Sequence, residues 1–252
     1  GGAIAVTHCP LTGSSIAFDR AAVGGAEFGV SGLLFKNNLV MYDRSDPESL
    51  WPQMLLGARC GVRDGTDLVS VSIVEMTWEG WRDLHPETMV VSSEADLSRR
   101  YTNYPYGDYD VIDNRRLLFP GAIDPRRPPK ERVLGVPEGD GGIAFPYGAL
   151  DELGEVASVA ATAAGQEVVV FWDRARQGAM AFRPDIGDEV IAFRAEGGQI
   201  VDDLTGSVWT VDGRAVSGPL AGTDLEPVAE AFVAFWFAWP EFYPRIQLWS
   251  AS

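Results

Sequence analysis

An internal duplication constrains the fold of this chain more than any other feature of its sequence. The segment from Ile4 to Phe18 aligns without gaps with the segment from Val168 to Phe182, and their apolar positions and final Ala-Phe coincide. Further matches follow in the same order, at PESLW and TGSVW, at two copies of GTDL, and at WEGWRDLHPETMVVS and WFAWPEFYPRIQLWS. Because self-similarity at a long spacing is typical of repeated units, we predict two copies of one unit of roughly 90 residues.

Each copy is predicted to contain short strands, one aromatic helix and a closing strand. In the first copy the strand-like runs are AIAVTHC, SIAFDR, EFGVSG, NLVMYDR and LVSVSIVEM; WEGWRDLHP predicts a helix ended by Pro86, and TMVVS a last strand. The expected fold class is α+β: two degenerate copies of a mainly antiparallel β unit with one aromatic helix each, packed as one globule.

The predicted boundaries are residues 1–93 for the first repeat, 94–136 for a connecting loop and 137–252 for the second repeat. The connecting loop is rich in Tyr, Pro and Arg and shows no periodicity, so we expect it to be ordered and packed rather than flexible. After the segment GGIAFPYGAL, an Ala-rich stretch is predicted to be helical.

The charge of the chain excludes two classes of partner. With 36 acidic and 20 basic residues the net charge is -16, which repels nucleic acid and anionic membranes. Lysine occurs only at Lys36 and Lys130, which fits either a salt-rich habitat or a GC-rich genome. No apolar run approaches the roughly 20 residues of a membrane helix. No signal peptide is visible before GGAIAV, and this opening resembles a trimmed start.

The first candidate site is the loop HCPLTG, which only the first copy has. The matched tryptophans and the matched Ala-Phe pair are expected to be core in both copies. Cys9 aligns with Asp173 and His8 with Trp172, so these positions do not behave as shared core. A thiol at a strand end, among backbone N–H groups, is suited to nucleophilic, redox or soft-metal chemistry. In this interpretation Cys9 is the nucleophile or metal ligand, Thr12 donates to the thiolate, and His8 is a base or second ligand. The alternative is that Cys9 is a buried small hydrophobe.

The sequence supports a metal site only weakly. His8 and Cys9 are adjacent, so in a strand their side chains point to opposite faces. The other histidine, His85, aligns with Tyr243, which indicates packing at a helix end. Copper or another soft metal on Cys9 and His8 is the candidate cofactor, although no spaced ligand cluster accompanies them. Nucleotide, phosphate-loop and hydrolase motifs are absent from the sequence.

The second candidate site is the acidic aromatic run YTNYPYGDYD in the connecting loop. Its rings can stack on a ligand and its carboxylates can bind a cation or a sugar hydroxyl. The alternative is a packed loop with solvated carboxylates. The residues of this run are Tyr101, Tyr104, Tyr106, Asp108, Tyr109 and Asp110.

The segments VTHCPLTGSSIAFDR, FGVSGLLFKNNLVMYDR, SLWPQ, YPYGDYD, PPKERVLGV, GPLAGTDLEP and FWFAWPEFYP together cover most of the chain. In these segments the chain resembles the family called domain of unknown function 3179, bacterial and archaeal proteins that often carry export or lipoprotein signals. The resemblance implies an exported or cell-surface location and a Cys-x-x-Thr or Cys-x-x-Cys motif, here Cys9 and Thr12. It also implies that relatives carry a segment like VLGVPEGDGGIAFPYGAL before the first unit, and that Cys60 replaces an aliphatic core residue.

Two functions remain open at this level. The first is a thiol-centred site in the Cys-Pro-Leu-Thr loop, with redox or soft-metal chemistry. The second is a non-enzymatic binding module whose Tyr-rich loop captures a ligand or protein partner. An accessible Cys9 in a cleft favours the first, and a buried Cys9 favours the second. In an exported protein Cys9 and Cys60 could also pair.

Overall fold

The computed structural model describes residues 2–90, 104–187 and 189–251, which are mainly β. The helices in these ranges are short: α1 (Trp78–Leu84), α2 (Tyr147–Asp151) and α3 (Ala238–Phe242). The strands are β1 (Ile4–Cys9), β2 (Ser14–Asp19), β3 (Phe28–Phe35), β4 (Asn38–Asp43), β5 (Ser49–Pro52), β6 (Cys60–Gly61), β7 (Ser70–Val71), β8 (Arg132–Glu138), β9 (Gly141–Pro146), β10 (Val156–Ala163), β11 (Gln166–Asp173), β12 (Gly178–Phe182), β13 (Asp185–Ile186), β14 (Glu189–Val190), β15 (Phe193–Glu196), β16 (Gln199–Asp202), β17 (Val208–Trp209), β18 (Ala215–Ser217), β19 (Phe232–Phe235) and β20 (Arg245–Leu248).

The largest sheet joins strands from both ends of the chain. Its seven strands have the order β1-β2-β19-β8-β9-β20, and β7 also pairs with β2. Neighbouring strands are antiparallel except β9 and β20, which are parallel. The predicted mainly antiparallel character of the fold is therefore confirmed.

The smaller sheets have a similar order in the two halves of the chain. A four-stranded sheet β3-β4-β5-β6 follows the β1–β2 hairpin, and a four-stranded sheet β15-β16-β17-β18 follows the β11–β12 hairpin. The halves differ at the outer edge of these hairpins. Strand β10 pairs with β11, whereas β1 is the last strand of its sheet.

The two four-stranded sheets contain the same buried polar pair. Trp51 Nε1 donates to Asp43 Oδ2 at 2.8 Å, and Trp209 Nε1 donates to Asp202 Oδ2 at 3.0 Å. In each case the aspartate ends the second strand of the sheet and the tryptophan lies on the third. A buried indole N–H needs an acceptor, and an aspartate carboxylate provides it in both sheets.

The two GTDL segments close equivalent turns. The N–H of Gly65 donates to the carbonyl of Ala58 at 3.2 Å, and that of Gly222 donates to the carbonyl of Ala215 at 2.8 Å. Both alanines are buried. The repeated sequence therefore corresponds to repeated backbone hydrogen bonding.

The segment before the aromatic helix of each half crosses to the other half. The N–H of Thr77 donates to the carbonyl of Arg176 at 2.9 Å, and the N–H of Phe235 donates to the carbonyl of Thr12 at 2.7 Å. These two bonds are reciprocal in the predicted alignment, because Thr77 aligns with Phe235 and Thr12 with Arg176.

The ends of the aromatic helices make reciprocal contacts as well. After α1, His85 stacks on Trp81 with ring centroids 4.1 Å apart, and its Nε2 lies 2.9 Å from Asp212 Oδ2. After α3, the hydroxyl of Tyr243 donates to the carbonyl of Met54 at 2.7 Å. The predicted helix-end packing of His85 is confirmed.

The residues that match between the copies are only partly core. Ala-Phe and the tryptophans of the four-stranded sheets are buried in both halves, as expected. Trp236 and Trp239 are also buried, but their partner Trp78 is 51% exposed and Trp81 is half-buried. The prediction that both aromatic helices bury their tryptophans is therefore wrong for α1, which covers less apolar surface than α3.

Three local predictions are wrong. The Ala-rich stretch after α2 is strand β10, because pairing with β11 overrides the helix propensity of alanine. Of LVSVSIVEM only Ser70–Val71 is a strand. Residues 88–90 of TMVVS are not in a strand, and the rest of that segment lies outside the described residues. Strand β8, which begins at Arg132, includes Val136, the predicted end of the connecting loop.

Candidate functional site

Cys9 is the last residue of β1 and is buried. Its side chain is 1% exposed and belongs to an apolar cluster with Leu11, Trp236 and Phe237 among others. Its Sγ donates to the carbonyl of Asn37 at 3.8 Å. The strand places the thiol on the core side of the sheet, and solvent does not reach it in this structure.

Thr12 takes part in a buried hydrogen-bond network. Its hydroxyl lies 2.8 Å from Ser14 Oγ and accepts from Asn38 Nδ2 at 2.9 Å. Ser14 donates to Gln53 Oε1 at 2.6 Å, and Gln53 is also bonded by Asn38 at 2.9 Å. The network orders the Cys-Pro-Leu-Thr loop against β4 and against Gln53, which directly follows β5. A thiolate bond from Thr12, as proposed from the sequence, would compete with these partners.

His8 lies on the opposite face of β1 from Cys9. It is exposed, and its Nδ1 is 2.9 Å from Ser15 Oγ on β2. The alternation of strand side chains thus separates the two proposed ligands. Within the described ranges no group of three or more His, Cys, Asp or Glu side chains could hold a metal ion.

Cys60 was expected in the core, and this expectation is wrong. It lies exposed on the short edge strand β6, and both Cys60 and Cys9 are free thiols. The exposed position follows from pairing with β5 at the outer edge of its sheet.

The Tyr-rich loop covers the Cys-Pro-Leu-Thr loop. The hydroxyl of Tyr109 donates to the carbonyl of Leu11 at 3.0 Å, and that of Tyr104 donates to the carbonyl of Pro10 at 3.4 Å. Tyr109 is buried, whereas Tyr104 and Tyr106 are 40% and 38% exposed. The two sites predicted separately from the sequence are therefore neighbours.

The tyrosine rings of this loop pack against one another in a tilted series. The rings of Tyr104 and Tyr106 are 5.7 Å apart, and those of Tyr106 and Tyr109 are 6.4 Å apart. Burial raises the pKa of Tyr109 well above its usual value, and so would negative charge on Cys9. The Tyr109 hydroxyl therefore keeps its proton and remains a donor. Asp108 and Asp110 are exposed, and Tyr101 lies outside the described residues.

Lys130 was not identified from the sequence. Its side chain is 2% exposed, and its Nζ lies 3.7 Å from the ring centroid of Tyr109 and 4.3 Å from that of Phe237. The ammonium donates to the carbonyl of Arg116 at 2.9 Å. Burial lowers its pKa to about 8. A signal was present, because Lys130 is one of two lysines in a chain that otherwise uses arginine.

A cleft of about 490 Å³ opens where the connecting loop meets the second half of the chain. Asp110 and Ile112 come from the connecting loop, and Tyr147 and Trp172 contribute aromatic rings whose centroids are 4.8 Å apart. The other residues that line the cleft are Lys130, Glu131, Arg132, Gly148, Asp151, Arg174 and Gln177.

Most charged side chains of the cleft have a partner of opposite charge, either in its wall or beside it. Arg174 bonds Asp151, and Arg132 bonds Glu75. Arg127 holds Glu131 with its Nε 2.6 Å from Oε2. These pairs neutralise most of the charge that faces the cleft.

Two buried polar atoms beside the cleft have no partner. Tyr147 and Trp172 are 6% and 1% exposed, and neither the hydroxyl nor the indole N–H makes a hydrogen bond to the described residues. The N–H of Ala179 lies near the Tyr147 oxygen, but an N–H can only donate, so the hydroxyl proton has no acceptor among the described residues. Burial raises the pKa of Tyr147 to about 12, which keeps that proton in place. Unpaired buried donors are unusual and need an explanation.

Comparison with known families identifies the chain. A family model described as protein of unknown function (DUF3179) matches residues 1–246. The chain belongs to this family. No curated protein and no solved structure matches this DUF3179 protein. In the described part of the chain, no helix is both long and apolar enough to cross a membrane.

Proposed function

We propose that this DUF3179 protein is a non-enzymatic binding module whose ligand occupies the cleft beside the Tyr-rich loop. The observation that carries the proposal is a cleft of about 490 Å³ whose wall includes Tyr147 and Trp172, two residues with buried donors that have no partner among the described residues. Clefts of about 300–1,000 Å³ with aromatic walls and a few polar groups are typical of small-molecule sites. The buried Cys9 supports this alternative over thiol chemistry.

The ligand class follows from the chemistry of the walls. The unpaired groups are donors, so the ligand brings an acceptor such as a carboxyl or amide oxygen. Arg174, Arg132 and Glu131 of the wall already have partners of opposite charge, so a highly charged ligand gains little. The rings of Tyr147 and Trp172 provide apolar contact. We infer a small carboxylic acid or amide with an apolar part.

The test is ligand-observed NMR with a set of small carboxylic acids and amides on the intact protein. Tyr147→Phe removes only the unpartnered hydroxyl, and Tyr42→Phe, outside the cleft lining, is the matched control. We expect compounds that bind the parent and the control to bind Tyr147→Phe about fivefold more weakly, the value of one hydrogen bond. Equal binding to all three proteins, or no binder in the set, would overturn the proposal.

The second candidate function is thiol chemistry at Cys9. It is supported by the position of the thiol beneath the Tyr-rich loop, which Tyr104 and Tyr109 attach to the Cys-Pro-Leu-Thr loop. The bond from Tyr104 is long, at 3.4 Å, and exposed, so that the cover is held mainly by Tyr109 at 3.0 Å. Opening of the loop would expose Cys9 for redox or soft-metal chemistry, with Thr12 and His8 in the roles proposed from the sequence.

Cys60 is an internal control for this second candidate, because it is exposed in the same molecule. Alkylation of both thiols is followed by mass spectrometry on protein purified without reductant. If Cys9 is only structural, it reacts at a rate set by unfolding while Cys60 reacts at once. Reaction of Cys9 at a rate close to that of Cys60, and faster still in Tyr109→Phe, would support the thiol function.

We also propose that the two halves are degenerate copies of one unit, with the first copy ending at residue 93 as predicted and the connecting loop ending at Glu131, directly before β8. The support is the repeated Trp–Asp pair, the repeated turn bonds and the reciprocal bonds at Thr77 and Phe235. The exported or cell-surface location remains a proposal that rests on the resemblance alone. Cell fractionation with an antibody against the native protein tests it, and recovery with the cytoplasmic fraction would refute it.

A further inference from the structure

The β11–β12 hairpin supplies one side of the ligand cleft. Its contribution to the lining consists of Trp172, Arg174 and Gln177. The turn of the hairpin is closed by the N–H of Gln177, which donates to the carbonyl of Arg174 at 3.1 Å. Gln177 has a φ of +49°, in the left-handed region that residues other than glycine rarely occupy. The wall of the cleft therefore includes a residue with a strained backbone.

The first half of the chain has glycine at the equivalent turn position. Gln177 aligns with Gly13, whose φ is +59°. Both hairpins thus use a positive φ at this residue, and glycine adopts it without steric cost. A residue other than glycine held in this conformation costs stability, and such residues cluster at ligand sites. Because the turn alone favours glycine, the glutamine side chain needs a separate explanation.

The side chain of Gln177 is anchored at its nitrogen and open at its oxygen. Its Nε2 donates to the carbonyl of Arg174 at 2.8 Å, which fixes the carboxamide against its own turn. Its Oε1 makes no hydrogen bond to the described residues, and the residue is exposed where it lines the cleft. An amide oxygen in this state accepts a hydrogen bond from an N–H or O–H group of a ligand.

The three cationic side chains that line the cleft already have partners. Arg132 bonds Glu75, and Arg174 bonds Asp151. The ammonium of Lys130 donates to a backbone carbonyl and lies against two aromatic rings. A ligand carboxylate would have to displace one of these partners or lose its hydration without a counter-charge, which is costly. The net charge of -16 also repels anions at long range.

The two buried donors beside the cleft are neutral and suit a neutral acceptor. The Tyr147 hydroxyl and the Trp172 indole N–H can bond an amide carbonyl, which loses less hydration on burial than a carboxylate does. An amide also carries N–H groups, which match the open oxygen of Gln177.

We propose that the cleft selects neutral amides over carboxylic acids, and that Gln177 determines this selectivity by accepting a hydrogen bond from the amide N–H of the ligand. The inference rests on the proposed function of the cleft and narrows its ligand class. It also explains why the second half of the chain has glutamine at a turn position where the first half has glycine.

The probes are matched pairs of an amide and an acid with the same apolar group, beginning with benzamide and benzoate. Their dissociation constants are measured by ligand-observed NMR on the intact protein at neutral pH, where the acids are ionised. We expect each amide that binds to bind the parent at least tenfold more tightly than its acid. In Gln177→Gly we expect amides to bind about fivefold more weakly, the value of one hydrogen bond, and acids to be unchanged.

The matched control is Ala164→Gly, because Ala164 also has a positive φ, of 52°, but lies outside the cleft lining. Both glycine variants relieve backbone strain, so the midpoint of thermal unfolding should not fall in either. Ala164→Gly should bind both members of each pair as the parent does.

The outcomes separate this inference from the proposed function. Acids that bind the parent as tightly as their amides would overturn the amide selectivity. An unchanged affinity of Gln177→Gly for the amides would overturn the role of Gln177. Both results leave the ligand cleft in place, whereas no binding of any pair to the parent would overturn the ligand cleft and this inference together.

Discussion

The buried ammonium of Lys130 should make the stability of the folded protein depend on pH. Burial lowers its pKa from 10.5 to about 8. Below pH 8 the lysine is charged in the folded and the unfolded protein, and the cost of burying the charge is present in full. As the pH rises through 8 the folded protein loses this proton first, so the free energy of unfolding increases until the unfolded lysine also titrates. The full difference corresponds to about 3 kcal/mol, at about 1.4 kcal/mol per pH unit.

The perturbation is Lys130→Met, which fits between the rings of Tyr109 and Phe237 without a charge. At neutral pH it loses the cation–π contacts and the bond to the carbonyl of Arg116 but also removes the cost of burial, so we expect a net change within about 2 kcal/mol. The distinctive result is the pH dependence. Between pH 8 and pH 9.5 the parent should gain about 2 kcal/mol relative to the variant.

The assay is urea unfolding followed by tryptophan fluorescence at pH values from 7 to 9.5. The upper limit avoids the range in which unfolded tyrosines ionise, since Tyr109, Tyr147 and Tyr243 have raised pKa values in the folded protein and oppose the effect there. Lys36→Met is the control, because Lys36 is the other lysine and is exposed. Parallel pH profiles for the parent and Lys130→Met would refute the reasoning.

Three further predictions concern the residues that shape the site. Asp202→Asn should lower the free energy of unfolding by about 1–3 kcal/mol above pH 5 in urea unfolding. Burial raises the pKa of Asp202, but the hydrogen bonds from Trp209, Thr205 and Ser207 outweigh burial and lower this pKa overall. The loss of stability should therefore shrink as the pH falls through this pKa. Gly13→Ala should destabilise the protein by about 2 kcal/mol or more in thermal unfolding, because φ is +59° and a Cβ would lie 2.8 Å from the Phe235 ring. Gly107→Ala is the control, because Gly107 has a similar φ but open space around a Cβ, and it should destabilise the protein less. Equal losses of stability in the two variants would contradict the steric argument. Asn38→Ala should cost about 2–4 kcal/mol in urea unfolding, since it removes one bond each from Thr12 and Gln53 and leaves the N–H of Met54 without its acceptor in a buried network. A loss below 1 kcal/mol would show that the network is dispensable.

The candidate site was predictable in part. The Cys-Pro-Leu-Thr loop and the Tyr-rich loop were identified from residue types and from the comparison between copies, but their contact through Tyr109 and Leu11 was not. The sequence did not predict Lys130 and Trp172 as site residues, because neither belongs to a motif. Their role depends on burial and on missing partners, which a sequence does not record.

The sequence by itself determined the hairpins β1–β2 and β11–β12, because turn residues and alternating apolar runs act locally. It also determined the separation of His8 from Cys9, since alternation along a strand is a local property. Tertiary structure decided the rest. Pairing with β11 made an Ala-rich segment a strand, and the position of β6 at a sheet edge left Cys60 exposed. Burial, and with it the raised or lowered pKa values, depends on surfaces contributed by segments far apart in the chain, such as Tyr109 above Leu11.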